Sequence, residues 1–222
     1  MNDDLILAAL IPVAYLIGSI PFGLLVGKAR GIDPRKAGSG NIGATNVGRL
    51  LGGKYFALVF TLDLLKGAVP PLAAGAVIGF RVPNWQTCLL WMAIGAAVVI
   101  GGMCSIYLKF KGGKGVATSA GMMLGIFPYY TLAFIPGILA FLFTFAATRF
   151  ISVGSICGAT VFAAGYIIFG LFENWPMTGA QLPLLCFAFA LPVLIIYKHR
   201  GNIARLRAGT EPRFVKASCE SK

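Results

Sequence analysis

Residues 37–49 read Ala-Gly-Ser-Gly-Asn-Ile-Gly-Ala-Thr-Asn-Val-Gly-Arg. Nearly every side chain in this stretch is small or is a neutral hydrogen-bonding group, so the stretch is poorly suited to filling a core. Glycines let a backbone turn freely and approach a ligand closely. The glycines here are Gly38, Gly40, Gly43 and Gly48.

The same stretch carries groups that can surround an anion. Its hydrogen-bonding side chains are Ser39, Asn41, Thr45 and Asn46. The closing residue, Arg49, has a planar guanidinium that suits a phosphate. Because an apolar segment precedes the stretch and another follows it, we predict an anion-binding loop at the edge of a membrane.

The rest of the chain is strongly apolar. Of its 222 residues, 58% are hydrophobic and 12% are charged, whereas a soluble domain averages roughly 25% charged residues. The apolar runs are long and continuous, without the alternation of a membrane-barrel strand. We therefore predict an all-α integral membrane protein, with a single transmembrane domain over residues 1–222.

Seven apolar segments are candidates for membrane-spanning helices, which need about 20 residues. The fourth is short, so it either continues past Pro128 or stops part-way through the bilayer. The segments are Leu5–Gly27, Tyr55–Phe80, Gln86–Leu108, Val116–Phe127, Tyr129–Thr148, Ile151–Phe172 and Gln181–Tyr197.

Seven crossings sort the charges between two faces. All of the 19 Lys and Arg residues except Lys66 and Arg81 then fall in loops on one face or in the tail beside it. The positive-inside rule places that face in the cytoplasm, with the N-terminus outside and the C-terminus cytoplasmic. An even number of crossings would break this sorting.

Two further basic, glycine-containing stretches lie on the cytoplasmic face. Residues 109–115 read Lys-Phe-Lys-Gly-Gly-Lys-Gly, and residues 197–211 read Tyr-Lys-His-Arg-Gly-Asn-Ile-Ala-Arg-Leu-Arg-Ala-Gly-Thr-Glu. A basic rim that attracts acidic lipid headgroups would explain scattered Lys and Arg residues. It would not explain the glycine-rich runs, so we favour a phosphate site built by all three stretches.

Two other features have structural interpretations that we prefer. Asp63 and Lys66 are three residues apart within the second span, which favours an internal ion pair over a catalytic role. The five cysteines show no metal-ligand spacing, and we expect the four in apolar stretches to be small buried hydrophobic residues. The five are Cys88, Cys104, Cys157, Cys186 and Cys219.

Segments Ser39–Arg49, Lys111–Thr118 and His199–Glu211 resemble the three signature motifs of the PlsY family. These are the acyl-phosphate-dependent glycerol-3-phosphate acyltransferases of bacterial inner membranes. The order of the motifs and the seven-span layout match over essentially the whole chain. The resemblance implies transfer of a fatty acyl group from acyl phosphate to the sn-1 hydroxyl of glycerol 3-phosphate, which gives lysophosphatidic acid and phosphate.

The resemblance also implies site residues. The residues with implied catalytic roles are Ser39, Arg49, Lys114, His199 and Asn202. Those implied to bind substrate are Gly40, Asn41, Gly43, Thr45, Asn46, Gly112, Gly113, Gly115 and Arg205. The first motif would hold the donor phosphate, the second the phosphate of glycerol 3-phosphate, and the third would complete the pocket.

The resemblance implies two substrates, a bilayer, and no cofactor or nucleic acid, and the few, scattered carboxylates of the sequence indicate no metal site. It further implies a functional monomer in the inner membrane, with a cytoplasmic active site. One position departs from the family pattern: Gly102 stands where a histidine is usual.

Two alternatives stay open at this level. A transporter for a phosphorylated metabolite would also use bent helices and anion-binding loops, and a structural partner of lipid enzymes would need neither. His199 is either a general base, since its ordinary pKa is about 6.5, or a residue that binds and orients substrate. We favour the second role, with the departing phosphate as proton acceptor.

Overall fold

The structure is a computed structural model that describes residues 3–214. The regular secondary structure of this part is entirely helical. The helices are α1 (Asp3–Ser19), α2 (Phe22–Ala29), α3 (Ala44–Leu51), α4 (Gly53–Val77), α5 (Trp85–Met103), α6 (Val116–Gly125), α7 (Tyr129–Thr148), α8 (Ile151–Phe172), α9 (Leu182–Lys198) and α10 (Arg200–Arg207), with a 3-10 turn at Ile106–Leu108.

Five segments of the described chain are long and apolar enough to cross a membrane. They are Asp3–Ala29, Gly53–Val77, Trp85–Leu108, Tyr129–Thr148 and Ile151–Phe172. A sixth is added if α9 and α10, which bend by 56°, count as one span. The all-α membrane class is therefore confirmed.

The remaining predicted span is short, as the sequence indicated, and it does not continue as one helix past Pro128. Residues 116–127 form only the ten-residue α6, whose length of about 15 Å is half of a bilayer core. Hydrophobicity alone therefore supports five or six crossings, and the seventh stays a prediction.

The first span is broken between α1 and α2 at Pro21, which lacks a backbone N–H and disfavours helical geometry in the residue before it. The ammonium of Lys66 donates to the freed carbonyl of Ile20 at 2.7 Å. Its Nζ also lies 2.7 Å from the carboxylate of Asp63. The predicted ion pair is confirmed, and it satisfies the carbonyl that the break exposes.

The bundle has two chemically different ends. At the first, which we call the aromatic end, the ring of Tyr129 lies 6.1 Å from Trp91 and 5.1 Å from Trp175. At the second, the basic end, Arg49 donates to the carbonyl of Pro212 at 3.0 Å. Since α5 and α7 both begin at the aromatic end, the chain returns to that end between them, through the basic loop and α6.

Two helix pairs pack tightly through glycines. A Cβ on Gly121 of α6 would overlap the carbonyl oxygen of Leu64 in α4, and one on Gly158 of α8 would lie 2.8 Å from the carbonyl of Gly137 in α7. Small residues let membrane helices approach closely in this way. A crevice remains between α4 and the α7–α8 pair.

The cysteines of the described segment are free thiols. Cys88 is buried and Cys104 and Cys157 are partly buried, whereas Cys186 is exposed. The predicted burial is thus wrong for Cys186, which lies on the outer surface of α9. Cys219 lies outside the described residues.

Candidate active site

A pocket of about 560 Å³ opens at the basic end and brings the three sequence motifs together. Every predicted site residue except Gly40 lines it. Gly40 instead lines an adjoining cleft with Arg35 and Lys111. The predicted convergence of the three basic stretches is confirmed, while the chemical role of each residue stays a prediction.

The first motif is a loop organised by one buried amide. The Asn46 side chain donates to the carbonyls of Pro34, Ala37 and Asn41 at 2.8–3.1 Å. Its Oδ1 accepts from the N–H of Ser39 at 2.9 Å. Asn46 was predicted to bind substrate, but these contacts use its amide to set the position of Ser39.

A turn and a short helix complete this wall of the pocket. The Asn41 Oδ1 accepts from the N–H of Gly43 at 2.9 Å, and α3 begins directly afterwards at Ala44. Gly43, Ala44 and Thr45 line the pocket, so the N-terminus of α3 faces it. Helix N-termini favour anions because their first N–H groups lack helical partners.

The second motif is pinned onto the end of α5. The N–H of Gly112 donates to the carbonyl of Met103 at 3.2 Å, and that of Gly113 to the carbonyl of Gly102 at 3.0 Å. A Cβ on Gly112 would lie 2.5 Å from the Gly102 oxygen, so only glycine fits there. In this structure both N–H groups hold the loop on α5, and the implied part of Gly112 and Gly113 in substrate binding stays a prediction.

Lys114 reaches into the pocket from this loop and donates to the Oδ1 of Asn202. Burial lowers the pKa of Lys114 to about 8; Glu211 opposes this shift, whereas Arg205 and Arg49 add to it. The ammonium is therefore charged at neutral pH and loses its proton at a lower pH than an ordinary lysine. Gly115, with a left-handed φ of +74°, ends the loop and begins α6.

His199 is buried at the bend between α9 and α10, with 2% of its surface exposed. Burial, together with the charge of Lys114, lowers its pKa to about 4. The ring is thus neutral at physiological pH. Its Nδ1 lies 2.8 Å from the carbonyl of Ile195, so Nδ1 carries the proton and donates. Nε2 keeps a lone pair that can accept a hydrogen bond.

Glu211 is a functional residue that the sequence did not single out. One carboxylate oxygen accepts from Asn202 Nδ2 at 2.6 Å and from Ser152 Oγ at 3.1 Å. The other accepts from Arg205 Nε at 2.8 Å. Because Asn202 donates its Nδ2 to Glu211, its Oδ1 is turned towards Lys114 and accepts from it.

Burial alone would raise the pKa of Glu211, but hydrogen bonds from Asn202, Arg205 and Ser152 outweigh it and the pKa is lowered. The carboxylate is therefore ionised and offsets part of the surrounding positive charge. The available signal in the sequence was its place at the end of the third motif. Ser152 carried no local signal, because it lies in the apolar run of α8.

The departure at Gly102 also falls in the pocket wall. A Cβ there would lie 3.2 Å from Thr118 Oγ1 and 3.6 Å from the carbonyl of Gly18. A histidine at this position would therefore extend from the part of the pocket wall against which the second motif packs.

An apolar crevice continues from the charged part of the pocket. It lies between α4 and the α7–α8 pair, and its lining residues include Phe56, Phe60, Phe134, Ile138, Phe141 and Ala159. Cationic groups suit a phosphate, and an apolar slot between membrane helices suits an alkyl chain. The fold and the pocket together define an integral membrane protein whose site fits a phosphorylated amphiphile.

A family model described as glycerol-3-phosphate acyltransferase matches residues 8–209. The chain belongs to this family of membrane enzymes. That membership decides against the transporter and the structural-partner hypotheses.

Individual relatives agree over nearly their full lengths. A glycerol-3-phosphate acyltransferase of Geobacter sulfurreducens is 44% identical, with 96% of this chain and 99% of the relative covered. One of Aquifex aeolicus is 42% identical, with coverage of 92% and 97%.

Two solved structures share the fold. The glycerol 3-phosphate form of PlsY, an integral membrane glycerol 3-phosphate acyltransferase, is 38% identical and superposes with a TM-score of 0.79, covering 94% of this chain and 96% of that one. Its lysophosphatidic acid form is also 38% identical, with a TM-score of 0.77 and coverage of 95% and 96%.

Proposed function

We propose that this enzyme transfers a fatty acyl group from acyl phosphate to the sn-1 hydroxyl of glycerol 3-phosphate. The products are lysophosphatidic acid and inorganic phosphate. The observation that carries the proposal is the junction of a cationic cluster with an apolar crevice in one pocket. The related PlsY structures, in a glycerol 3-phosphate form and a lysophosphatidic acid form, are consistent with substrate and product at such a site.

An acyl phosphate is a mixed anhydride, so its phosphate leaves readily and no covalent enzyme intermediate is needed. The protein must hold two anions together against their repulsion, with the hydroxyl oxygen close to the carbonyl carbon. Arg49, Lys114 and Arg205 line the pocket and supply the positive charge for this. Ser39 and Thr45, which also line the pocket, supply hydroxyl groups.

The proton balance of the reaction is simple. The hydroxyl oxygen of glycerol 3-phosphate forms a bond to the acyl carbon, and the bond from that carbon to the phosphate oxygen breaks. The departing phosphate takes the hydroxyl proton, because it is adjacent and becomes more basic as the bond breaks. The neutral His199, with Nε2 as hydrogen-bond acceptor, orients the hydroxyl in this scheme.

We further propose seven crossings of a bacterial inner membrane, with the N-terminus outside and the site on the cytoplasmic face. Three observations support this topology. Apart from Lys66 and Arg81, the Lys and Arg residues of the described chain lie at the basic end, α5 and α7 both begin at the aromatic end, and Asp4 accepts from Thr87 at that end at 2.9 Å. The three motifs that meet in the pocket all lie within this chain, so assembling the site requires no second copy, and we propose a functional monomer.

A donor comparison tests the reaction. Purified protein would receive glycerol 3-phosphate with acyl phosphate, acyl-CoA or acylated carrier protein, and lysophosphatidic acid would be measured. We expect turnover with acyl phosphate and little or none with the other donors. Equal turnover with acyl-CoA would overturn the donor assignment.

Labelling tests the topology. In a background without native cysteines, single cysteines at Asn84 and Asn174 should react with an impermeant reagent in intact cells, and one at Arg213 should not. Labelling of position 213 from outside would exclude the proposed orientation.

A further inference from the structure

The chain segment after α10 crosses the mouth of the apolar crevice. Arg49 of α3 donates to the carbonyl of Pro212 at 3.0 Å, and the N–H of Phe214 donates to the carbonyl of Arg149 at 2.9 Å. We call residues 211–214 the strap. It joins α3, on the α4 side of the crevice, to the end of α7 on the other side.

The ring of Phe214 fills the gap between the two walls. It lies 5.5 Å from Phe56 of α4 and 6.1 Å from Phe145 of α7, measured between ring centroids. Phe56 lines the pocket directly, and Phe145 stacks at 6.1 Å on Phe141, which also lines it. Phe214 therefore closes the crevice at its basic end.

The strap lies at the level of the charged groups. Its first residue, Glu211, is hydrogen-bonded to Asn202 and Arg205. An amphiphile that enters sideways from the bilayer keeps its phosphate head at this level while its chain slides between α4 and α7. Phe214, in contact with Phe56 on one side and Phe145 on the other, lies across the lateral path of the head. Glycerol 3-phosphate is water-soluble and enters from the aqueous side to the second motif, where Lys114 is expected to hold its phosphate.

We propose that the strap is a gate for the lipid-linked substrate and product, which swings aside to admit acyl phosphate and to release lysophosphatidic acid. This inference rests on the function proposed above. The anchored end is Glu211, which three side chains hold through hydrogen bonds. Beyond it, Pro212 and Arg213 are exposed, so Phe214 can move while Glu211 stays in the site.

Arg49 couples the strap to the ligand. Its guanidinium contributes a hydrogen bond to the Pro212 carbonyl and also lines the pocket. A bound phosphate competes for the same donors, because a doubly charged oxyanion is a stronger acceptor than a peptide carbonyl. Binding of the phosphate head therefore weakens the closed strap.

Cross-linking provides the first test. In a cysteine-free background, Phe145→Cys and Phe214→Cys would be joined by a short, reducible bis-thiol reagent. We expect acylation to fall at least about tenfold, as for a locked active-site lid, and to recover on reduction. The Kd for glycerol 3-phosphate should stay unchanged. Full turnover in fully cross-linked protein would overturn the proposal.

Product release provides a second test that needs no turnover. We expect Phe214→Ala to speed dissociation of a fluorescent lysophosphatidic acid about threefold or more in stopped-flow measurements, since it removes the closing ring. The matched control is Phe143→Ala, a truncation on the outer face of α7 where the ring is 78% exposed. Equal dissociation rates for Phe214→Ala and the unaltered protein would contradict the gate.

The two proposals fail in different ways. If the unaltered protein does not turn over acyl phosphate, the proposed donor is wrong, and the cross-link is then scored with the donor that the protein does use. The dissociation measurement tests the strap in either case.

Discussion

The aromatic end and the basic end both bury polar groups, but they do so with different kinds of residue. At the aromatic end the hydroxyl of Tyr130 donates to the carbonyl of Leu184 at 2.5 Å, and the indole of Trp91 donates to that of Pro71 at 2.7 Å. Large rings fill the space around them, and Tyr130 lies edge-on to Phe162 and Tyr166 at 5.0 and 5.4 Å. Both of these polar groups therefore have a partner inside the packed core.

The basic end is built from small residues and long charged side chains. Its glycines leave space in the pocket. The side chain of Asn202 is hydrogen-bonded to both Lys114 and Glu211. Arg205 forms an ion pair with Glu211 directly. Arg49, Lys114 and Arg205 line the pocket around the one carboxylate of Glu211, so this cluster retains positive charge that a phosphate can neutralise. The comparison shows that one end stabilises the bundle while the other keeps space and charge for ligands.

Removing a cation from the basic end should have the largest effect. Lys114→Ala should lower kcat/KM about 100-fold, since loss of a donor aimed at developing charge costs on the order of 3 kcal/mol. Steady-state kinetics with both substrates measure this, and thermal unfolding checks that the protein still folds. Lys109→Ala, whose side chain lies outside the pocket, is the control; equal losses in both variants would favour a general lipid-attracting rim.

The pH dependence of binding should sharpen the contrast between charge at this end and packing at the other. The pKa of Lys114 is about 8 without ligand, and a bound phosphate raises it because it favours the ammonium form. Above pH 8 binding must therefore take up a proton. We expect the affinity for glycerol 3-phosphate to fall by up to about tenfold per pH unit there, as measured by calorimetry.

Lys114→Arg is the matched control for this titration, because a guanidinium stays charged over the whole range. Its affinity should change little between pH 7 and 9 (roughly the range where Lys114 titrates). A flat profile in the unaltered protein would show that Lys114 does not titrate as a phosphate ligand.

A smaller effect is expected at His199. His199→Gln keeps a hydrogen-bonding side chain but cannot shuttle a proton, so we expect about fivefold weaker use of substrate, mainly through KM, with kcat largely retained. Rapid-quench kinetics separate the two parameters. A fall in kcat of about 1,000-fold with normal binding would instead identify His199 as the general base.

Changes at the aromatic end should leave catalysis almost untouched. Trp91→Phe keeps a ring but removes the hydrogen bond to Pro71, which should lower the free energy of unfolding by about 1 kcal/mol. Chemical unfolding in detergent measures that loss. A marked drop in kcat/KM for this variant would show that the aromatic end also contributes to catalysis and does not serve stability alone.

The fold was largely accessible from the sequence because hydrophobicity is a local property. Residues 129–148 and 151–172 were predicted as spans, and α7 and α8 have those same bounds. Residues 116–127 were also predicted as a short span, and α6 covers residues 116–125 of it, but the apolar length of this helix is too short to decide whether it crosses the membrane. Its path through the bundle depends on packing against α4, which no local pattern reports.

The candidate site was accessible in part for a similar reason. Glycine, serine, asparagine and arginine at close spacing predict an anion-binding loop, and the pocket contains that loop together with Lys114 and His199. The hydrogen-bond partner of each of these groups could not be predicted from the sequence. The amides of Gly112 and Gly113 bind α5, and Asn46 binds its own loop, because these choices depend on which partners folding brings within 3 Å or so.

The sequence by itself determined a helical membrane protein with its positive charge on one face and three phosphate-type motifs, because composition and local spacing carry that information. Only the tertiary structure decided that Glu211 orients Asn202 towards Lys114, that His199 is buried and neutral, and that the strap lies across the crevice. These properties arise from contacts between distant segments, such as Arg49 with Pro212 and Ser152 with Glu211. Burial and hydrogen-bond partners set the charge and direction of a side chain, and both exist only once the chain has folded.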